Sequence, residues 1–166
     1  MSNAWNSHHN GDQGGSQRNT RWLTPREIPE ALGVFDLDPA GAPGHELANR
    51  TYILEYGDDG LRDPWYGRVW LNPPYGRAQD AFMARMVEHG CGTALIFART
   101  DTKSFFTYVW DEATAILFIR GRLYFHHEDG TRASANSGAA SVLVAYGQRD
   151  AEALRDSGIE GKLVWL

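Results

Sequence analysis

A chain of 166 residues, 42% hydrophobic and 12% aromatic, has the composition of one globular domain with enough apolar surface for a core. Its net charge of −5 argues against bulk electrostatic attraction to nucleic acid, and no apolar run approaches the roughly 18–20 residues that span a bilayer. The single cysteine, Cys91, excludes an internal disulfide and leaves no basis for a cysteine-built zinc site, and no secretory pattern opens the sequence, so a cytoplasmic protein is expected.

Residues 1–20 are polar, rich in Gly and Asn and aperiodic, the composition of a disordered tail, which leaves 21–166 as the ordered domain. In "WLTPREIPEALG", Thr24, Pro25 and Glu27 read as a capping box with proline at the first helical position, and Gly33 stops the helix. "VFDLD" reads as a buried strand broken by "PAGAPG". "GRVWL", short, β-branched and aromatic, is the next strand, and it runs into "NPPYG". "RAQDAFMARMVEHG" spaces Ala78, Phe82 and Met86 as a helix does and ends at Gly90. "TALIFA" is a third buried strand, and "DTKSFFTYVWDEA" puts Phe105, Phe106, Val109 and Trp110 on one helical face. "AILFIRGRLYF" is one or two strands turning at Gly121, "ASVLVAYG" another, "DAEALRDSG" a short helix and "KLVWL" the closing strand. Strands alternating with helices predict an α/β domain, its largely parallel sheet flanked by helices, with ligands beyond the carboxyl ends of the strands. "DPAG" and "NPPY" both fall at such ends.

Two prolines fix φ and carry no N–H, so the turn Asn72-Pro73-Pro74-Tyr75 is stiff and its carbonyls are not claimed by a local ladder. The Asn72 side-chain oxygen and the Pro73 carbonyl are two acceptors at a fixed angle, which suits an NH2 group, and Tyr75 offers a face for a planar ring. An exocyclic purine amine is a poor nucleophile because its lone pair is delocalised; holding both hydrogens from one side favours a pyramidal nitrogen aimed at an electrophile. The bland alternative is a strand-ending turn. In "FDLDPAGAPGHELA", Asp38 ends a strand, Pro39 turns the chain, and Gly41 and Gly44 permit close backbone approach to a ligand. The run is not GxGxxG, and its alternative is a glycine-rich loop leading to a helix.

In order, "WLTP", "LDPA", "DGLRDPW", "NPPY" and "ARTDTKSFF" resemble the motifs of the small phage and prophage DNA N6-adenine methyltransferase (Dam) family, over about residues 21–146. The resemblance implies an abridged Rossmann-like class I methyltransferase fold, S-adenosylmethionine as cofactor and double-stranded DNA as partner. By position, Thr24 would help hold the methionine carboxylate, Asp38, Pro39, Ala40 and Gly41 would wrap the methionine and ribose, and Asp59, or Asp58 instead, would lie near the adenine or the methyl. Asn72, Pro73, Pro74 and Tyr75 would grip a flipped target base. Arg99, Asp101 and Thr102 would face the ligand edge, and Arg120 and Arg122 would contact phosphate. Trp70, Phe105 and Phe106 read as core, and His126 and His127 as surface.

One departure stands out: Gly41 and Asp59 are only 18 positions apart, whereas a full βαβ unit takes about 30 residues. The cofactor half is therefore abridged, with Glu55 as a candidate for the ribose carboxylate. Three other readings share these residues: methylation of adenine in RNA, methylation of a glutamine amide in protein, and a non-catalytic nucleic-acid-binding module.

Overall fold

Alternating burial along the central strands divides the core into two layers. Val69 and Leu71, Ala94 and Ile96, and Val142 and Val144 face one side, while Trp70, Leu95, and Leu143 with Ala145 face the other. The computed structural model describes residues 22–127, 129–135 and 137–166; the expected tail 1–20 lies outside them. Seven strands form one sheet: β1 (Leu37–Asp38), β2 (Arg50–Thr51), β3 (Val69–Leu71), β4 (Gly92–Phe97), β5 (Ala115–Ile119), β6 (Ser141–Tyr146) and β7 (Gly161–Trp165). Their order is β2-β1-β3-β4-β6-β5-β7. The first four in that order pair in parallel. β6 is antiparallel to both β4 and β5, and β7 is antiparallel to β5. It follows that β5 points the same way as β1 to β4, so five strands open their carboxyl ends on one edge. The α/β architecture expected from the sequence holds, and it is compatible with a Rossmann-like methyltransferase.

Helix α2 (Arg77–His89) buries Phe82, Met83 and Met86 against one sheet face, beside Phe105 and Val109. It ends where expected, at Gly90, whose φ of 69° satisfies the left-handed C-cap that glycine adopts without strain. On the opposite face lie α1 (Glu27–Ala31), through Ile28, and α4 (Gln148–Asp156), through Ala151 and Leu154. Beneath α4 a buried ion pair joins Arg68 Nε to Asp150 Oδ1 at 2.9 Å, and Thr93 Oγ1 donates to the same carboxylate oxygen at 2.9 Å. The Arg68 guanidinium also covers the Phe35 ring at 4.1 Å. Among the described residues no helix is long and apolar enough to cross a membrane.

Two local expectations are corrected, and a third is narrowed to the single strand β5. The capping box does not form: α1 begins after Arg26 with no side-chain cap, because Thr24 is buried and its hydroxyl is turned to Asn72. Phe106 is not core but 53% exposed. A short α3 (Lys103–Phe105) passes into a π-turn, Phe106–Trp110, closed by the Asp111 N–H on the Phe106 carbonyl; this wider turn rotates Phe106 off the face shared by Phe105 and Val109. Beyond Gly121, residues 122–125 form no regular strand, although Phe125 is buried.

Candidate active site

The first connection that shapes the site is the short one between β1 and β2. No helix forms in 39–49, and the loop instead folds closely on the strand it precedes. The Gly41 N–H donates to the Tyr52 carbonyl at 3.2 Å, and a Cβ on Gly41 would overlap the Thr51 methyl. Close approach at Gly41 is thus made to β2 itself, while Gly44, at φ 71° with open space around it, serves the turn. The Asp38 side chain holds the loop from the strand end, with Oδ1 accepting the Ala40 N–H at 3.0 Å. Asp38 is 3% exposed, and burial pushes its carboxyl up to about 7 despite that hydrogen bond.

A second loop, 57–65, closes over the first. Asp58 receives the Ile53 N–H at 3.0 Å and pairs with Arg50 at 2.6 Å, while Asp59 Oδ1 accepts the Leu61 N–H at 2.9 Å. Arg85, reaching up from α2, donates to the carbonyls of Gly60 (2.7 Å) and Asp63 (3.0 Å) and lies over Trp65. Gly60 packs so tightly that a Cβ there would overlap the Pro39 carbonyl oxygen.

Between these loops and the end of β3 lies a cavity of about 440 Å³. Its walls bring together Thr24, Asp38, Pro39, Ala40, Gly41, Asp58, Asp59, Asn72, Pro73, Pro74 and Tyr75, every residue expected at the catalytic and cofactor positions. Glu55, on the exposed 3-10 turn Leu54–Tyr56, is not part of the lining. The Asn72 amide donates to Thr24 Oγ1 at 3.0 Å and, less closely, to the Trp22 carbonyl at 3.4 Å. That carbonyl only accepts, which fixes the NH2 on its side and leaves Asn72 Oδ1 opposite. Oδ1 is buried and has no hydrogen-bond partner.

Tyr75 separates this cavity from a second one of about 350 Å³. Its ring stacks on Phe97 with centroids 4.5 Å apart and planes 9° from parallel. Its hydroxyl is buried without a partner, and burial pushes its pKa up. Arg99 and Thr102 line the second cavity, whereas Asp101 is exposed outside it. Thr102 also caps α3, accepting the Phe105 N–H at 3.2 Å. Arg120 and Arg122 border neither cavity; Arg120 forms an exposed pair with Glu160 at 2.5 Å.

Sequence reasoning missed several lining residues. His45 Nε2 donates to the Thr24 carbonyl at 3.0 Å, and its pKa is lowered by burial and by nearby Arg26. Tyr52, Leu54 and Leu61 supply apolar wall. Trp70 is fully buried, as expected of core, yet borders the cavity with an unpartnered indole N–H. Alternation along "VWLN" places Trp70 and Asn72 on one side of the strand end, which was the available signal.

A family model described as DNA N-6-adenine-methyltransferase (Dam) matches residues 13–155. Over 112 residues the chain is 30% identical to a DNA N-6-adenine-methyltransferase of Escherichia phage T1, the match covering 61% of this chain and 45% of the relative. The chain therefore spans less than half the length of that curated relative.

Proposed function

The chain belongs to the DNA N-6-adenine-methyltransferase (Dam) family, and from that premise we propose that residues 21–166 form a domain that transfers a methyl group from S-adenosylmethionine to N6 of adenine in double-stranded DNA, in the cytoplasm. The observation that carries this reading is the buried, unpartnered Asn72 Oδ1, held by Thr24 and Trp22 at the wall of the larger cavity. Buried acceptors are almost always satisfied in native proteins, and one left without a partner on a residue that lines a cavity has the chemistry to receive a donor from a ligand.

The residues of the larger cavity fit S-adenosylmethionine. Asp38 is a carboxylate suited to the cofactor's positive charge, Tyr52, Leu54 and Leu61 offer apolar contact to its adenine, and the pocket has room of the right order. When bound, the cofactor supplies an electrophilic methyl on a sulfonium. The work of the chain is then to present the amine. Asn72 Oδ1 and the Pro73 carbonyl each accept one N6 hydrogen, which draws the nitrogen toward a pyramidal shape and aims its lone pair. Orientation of this kind lowers a barrier by about 7–11 kcal/mol.

The target base must leave the duplex, which costs a few kcal/mol. Tyr75 offsets part of this: Phe97 backs one face of its ring, leaving the other for the base, and such stacking returns about 1–3 kcal/mol. The test is transfer of labelled methyl to duplex DNA, RNA and protein offered in parallel. Label in DNA, at adenine N6, is expected; label in RNA or on protein glutamine alone, or duplex binding without transfer, would overturn the reading.

A further inference from the structure

We propose that the hairpin arm 122–133 reads the duplex beside the target base, an inference that rests on the methyl-transfer reading above. The arm leaves the carboxyl end of β5, the same sheet edge that carries the turn after β3. It doubles back on itself: the Ala133 N–H donates to the Phe125 carbonyl and the His127 N–H to the Thr131 carbonyl. Its inner side is docked by a backbone ladder, with Leu23 and His126 exchanging both N–H···O bonds at 2.9 Å and the Trp22 and His127 rings 5.3 Å apart. Trp22 and Leu23 are wall residues of the larger cavity, and Trp22 with Thr24 holds Asn72. The arm is therefore fixed relative to the residue that grips the amine, one strand away.

Its outer side has the chemistry of a nucleic-acid contact. From Arg120 to Arg132 the sequence holds three arginines and two histidines against two acids, Glu128 and Asp129, in a chain whose net charge is −5. Arg122 and Arg132 are exposed, and neither has a carboxylate partner among the described residues. The Arg132 guanidinium carbon stands over the Tyr124 ring, 3.9 Å from its centroid. A guanidinium held over an aromatic ring is ordered in advance, and its fork of N–H donors is the group that pairs with guanine O6 and N7 in the major groove. Arg122, with no such support, suits a phosphate. The arm thereby gives the domain a means of choosing its adenines.

The test uses the full chain and three variants, Arg132→Ala, Arg132→Lys and Arg122→Ala. Methylated adenines are mapped on long duplex DNA, duplex affinity is measured against salt, and S-adenosylmethionine binding serves as the control. Both Arg132 variants are expected to lose a preference of roughly ten- to a hundredfold at one flanking base pair. Arg122→Ala is expected to lower the slope of log affinity against log salt by about 1 and to leave the flanking preference intact. Cofactor binding should be unchanged in all three. An unaltered flanking pattern and salt slope in every variant would overturn the inference, as would a wild-type chain that methylates DNA with no flanking preference. A wild-type chain that methylates no DNA would instead sink the methyl-transfer reading itself.

Discussion

Replacing Asn72 by alanine separates a catalytic role from a structural one. The side chain makes one good hydrogen bond, to Thr24 Oγ1 at 3.0 Å, and a long one to the Trp22 carbonyl at 3.4 Å. Losing them costs about 1 kcal/mol. Against this, Oδ1 is buried and unpartnered, and removing an unsatisfied acceptor relieves about 1–3 kcal/mol. The two nearly cancel, so Tm should move by no more than about 2–4 °C, the shift that 1 kcal/mol gives in a domain of this size. The effect on transfer is of another order. An acceptor that strengthens as the amine gains positive charge resembles one preorganised partner of a developing charge, whose loss lowers kcat about 10²–10³-fold. The assay is single-turnover methyl transfer at saturating DNA and cofactor, paired with a thermal melt of the same samples. A rate within threefold of wild type would refute the argument, as would a lost rate accompanied by a fall in Tm of about 10 °C or more. Asn72→Asp keeps an acceptor but sets a carboxylate against the Trp22 carbonyl, so its rate should lie between the two.

Asp38 ties stability and cofactor affinity to pH. Its folded pKa of about 7 lies above the ordinary 3.8, so the folded state holds a proton that the unfolded state has released, and stability falls as pH rises from about 4 through 7. Asp38→Asn removes that dependence; it should equal wild type near pH 4 and exceed it at pH 8, by at most about 4 kcal/mol, in urea titrations. Affinity for the cationic cofactor should rise through pH 7 in wild type and stay flat in the variant, as calorimetry would show. Gly60→Ala drives a methyl into the Pro39 carbonyl, and the forced separation of the two loops should cost about 1–3 kcal/mol and weaken cofactor binding, read from the same two measurements. Arg68→Met leaves Asp150 buried and unpaired and should cost about 3–5 kcal/mol, whereas Arg68→Met with Asp150→Leu should recover most of it in a double-mutant cycle.

What the sequence made readable was set by local rules. Short apolar runs rich in β-branched and aromatic residues located β3 and β4, the spacing of Phe82 and Met86 located α2, and the coincidence of "DPAG" and "NPPY" with strand ends placed both at one cavity. Most of what stayed hidden depends on a distant partner that outbids a local preference. Thr24 has the spacing of a helix cap, but its hydroxyl goes to Asn72, 48 residues away. Nothing local in "YGRVW" announces that Arg68 is buried against Asp150, 82 residues on. Phe106 has the spacing of a buried α-helical residue but stands 53% exposed at the start of a local π-turn. The arm 122–133 shows only a turn at Gly121, since its position depends on a ladder to Leu23 at the far end of the chain.

The same contrast explains how a helix-free connection between β1 and β2 shapes a deep cavity. A crossover helix would normally cover that end of the sheet with apolar side chains. Here two other devices take its place. Gly41 against Thr51 and Gly60 against Pro39 let backbones approach to distances that no side chain would allow. Polar side chains then pin the loops from several directions: Asp38 on Ala40, Asp58 on Ile53 and Arg50, and Arg85 on Gly60 and Asp63. Close glycine packing removes thickness, and hydrogen bonds to backbone supply the order that a larger core would otherwise give. Both devices act at the rim and leave the space between the loops open. A crossover helix laid over the same strand ends would have filled it, so brevity at this point of the chain and the presence of the cavity have one physical cause.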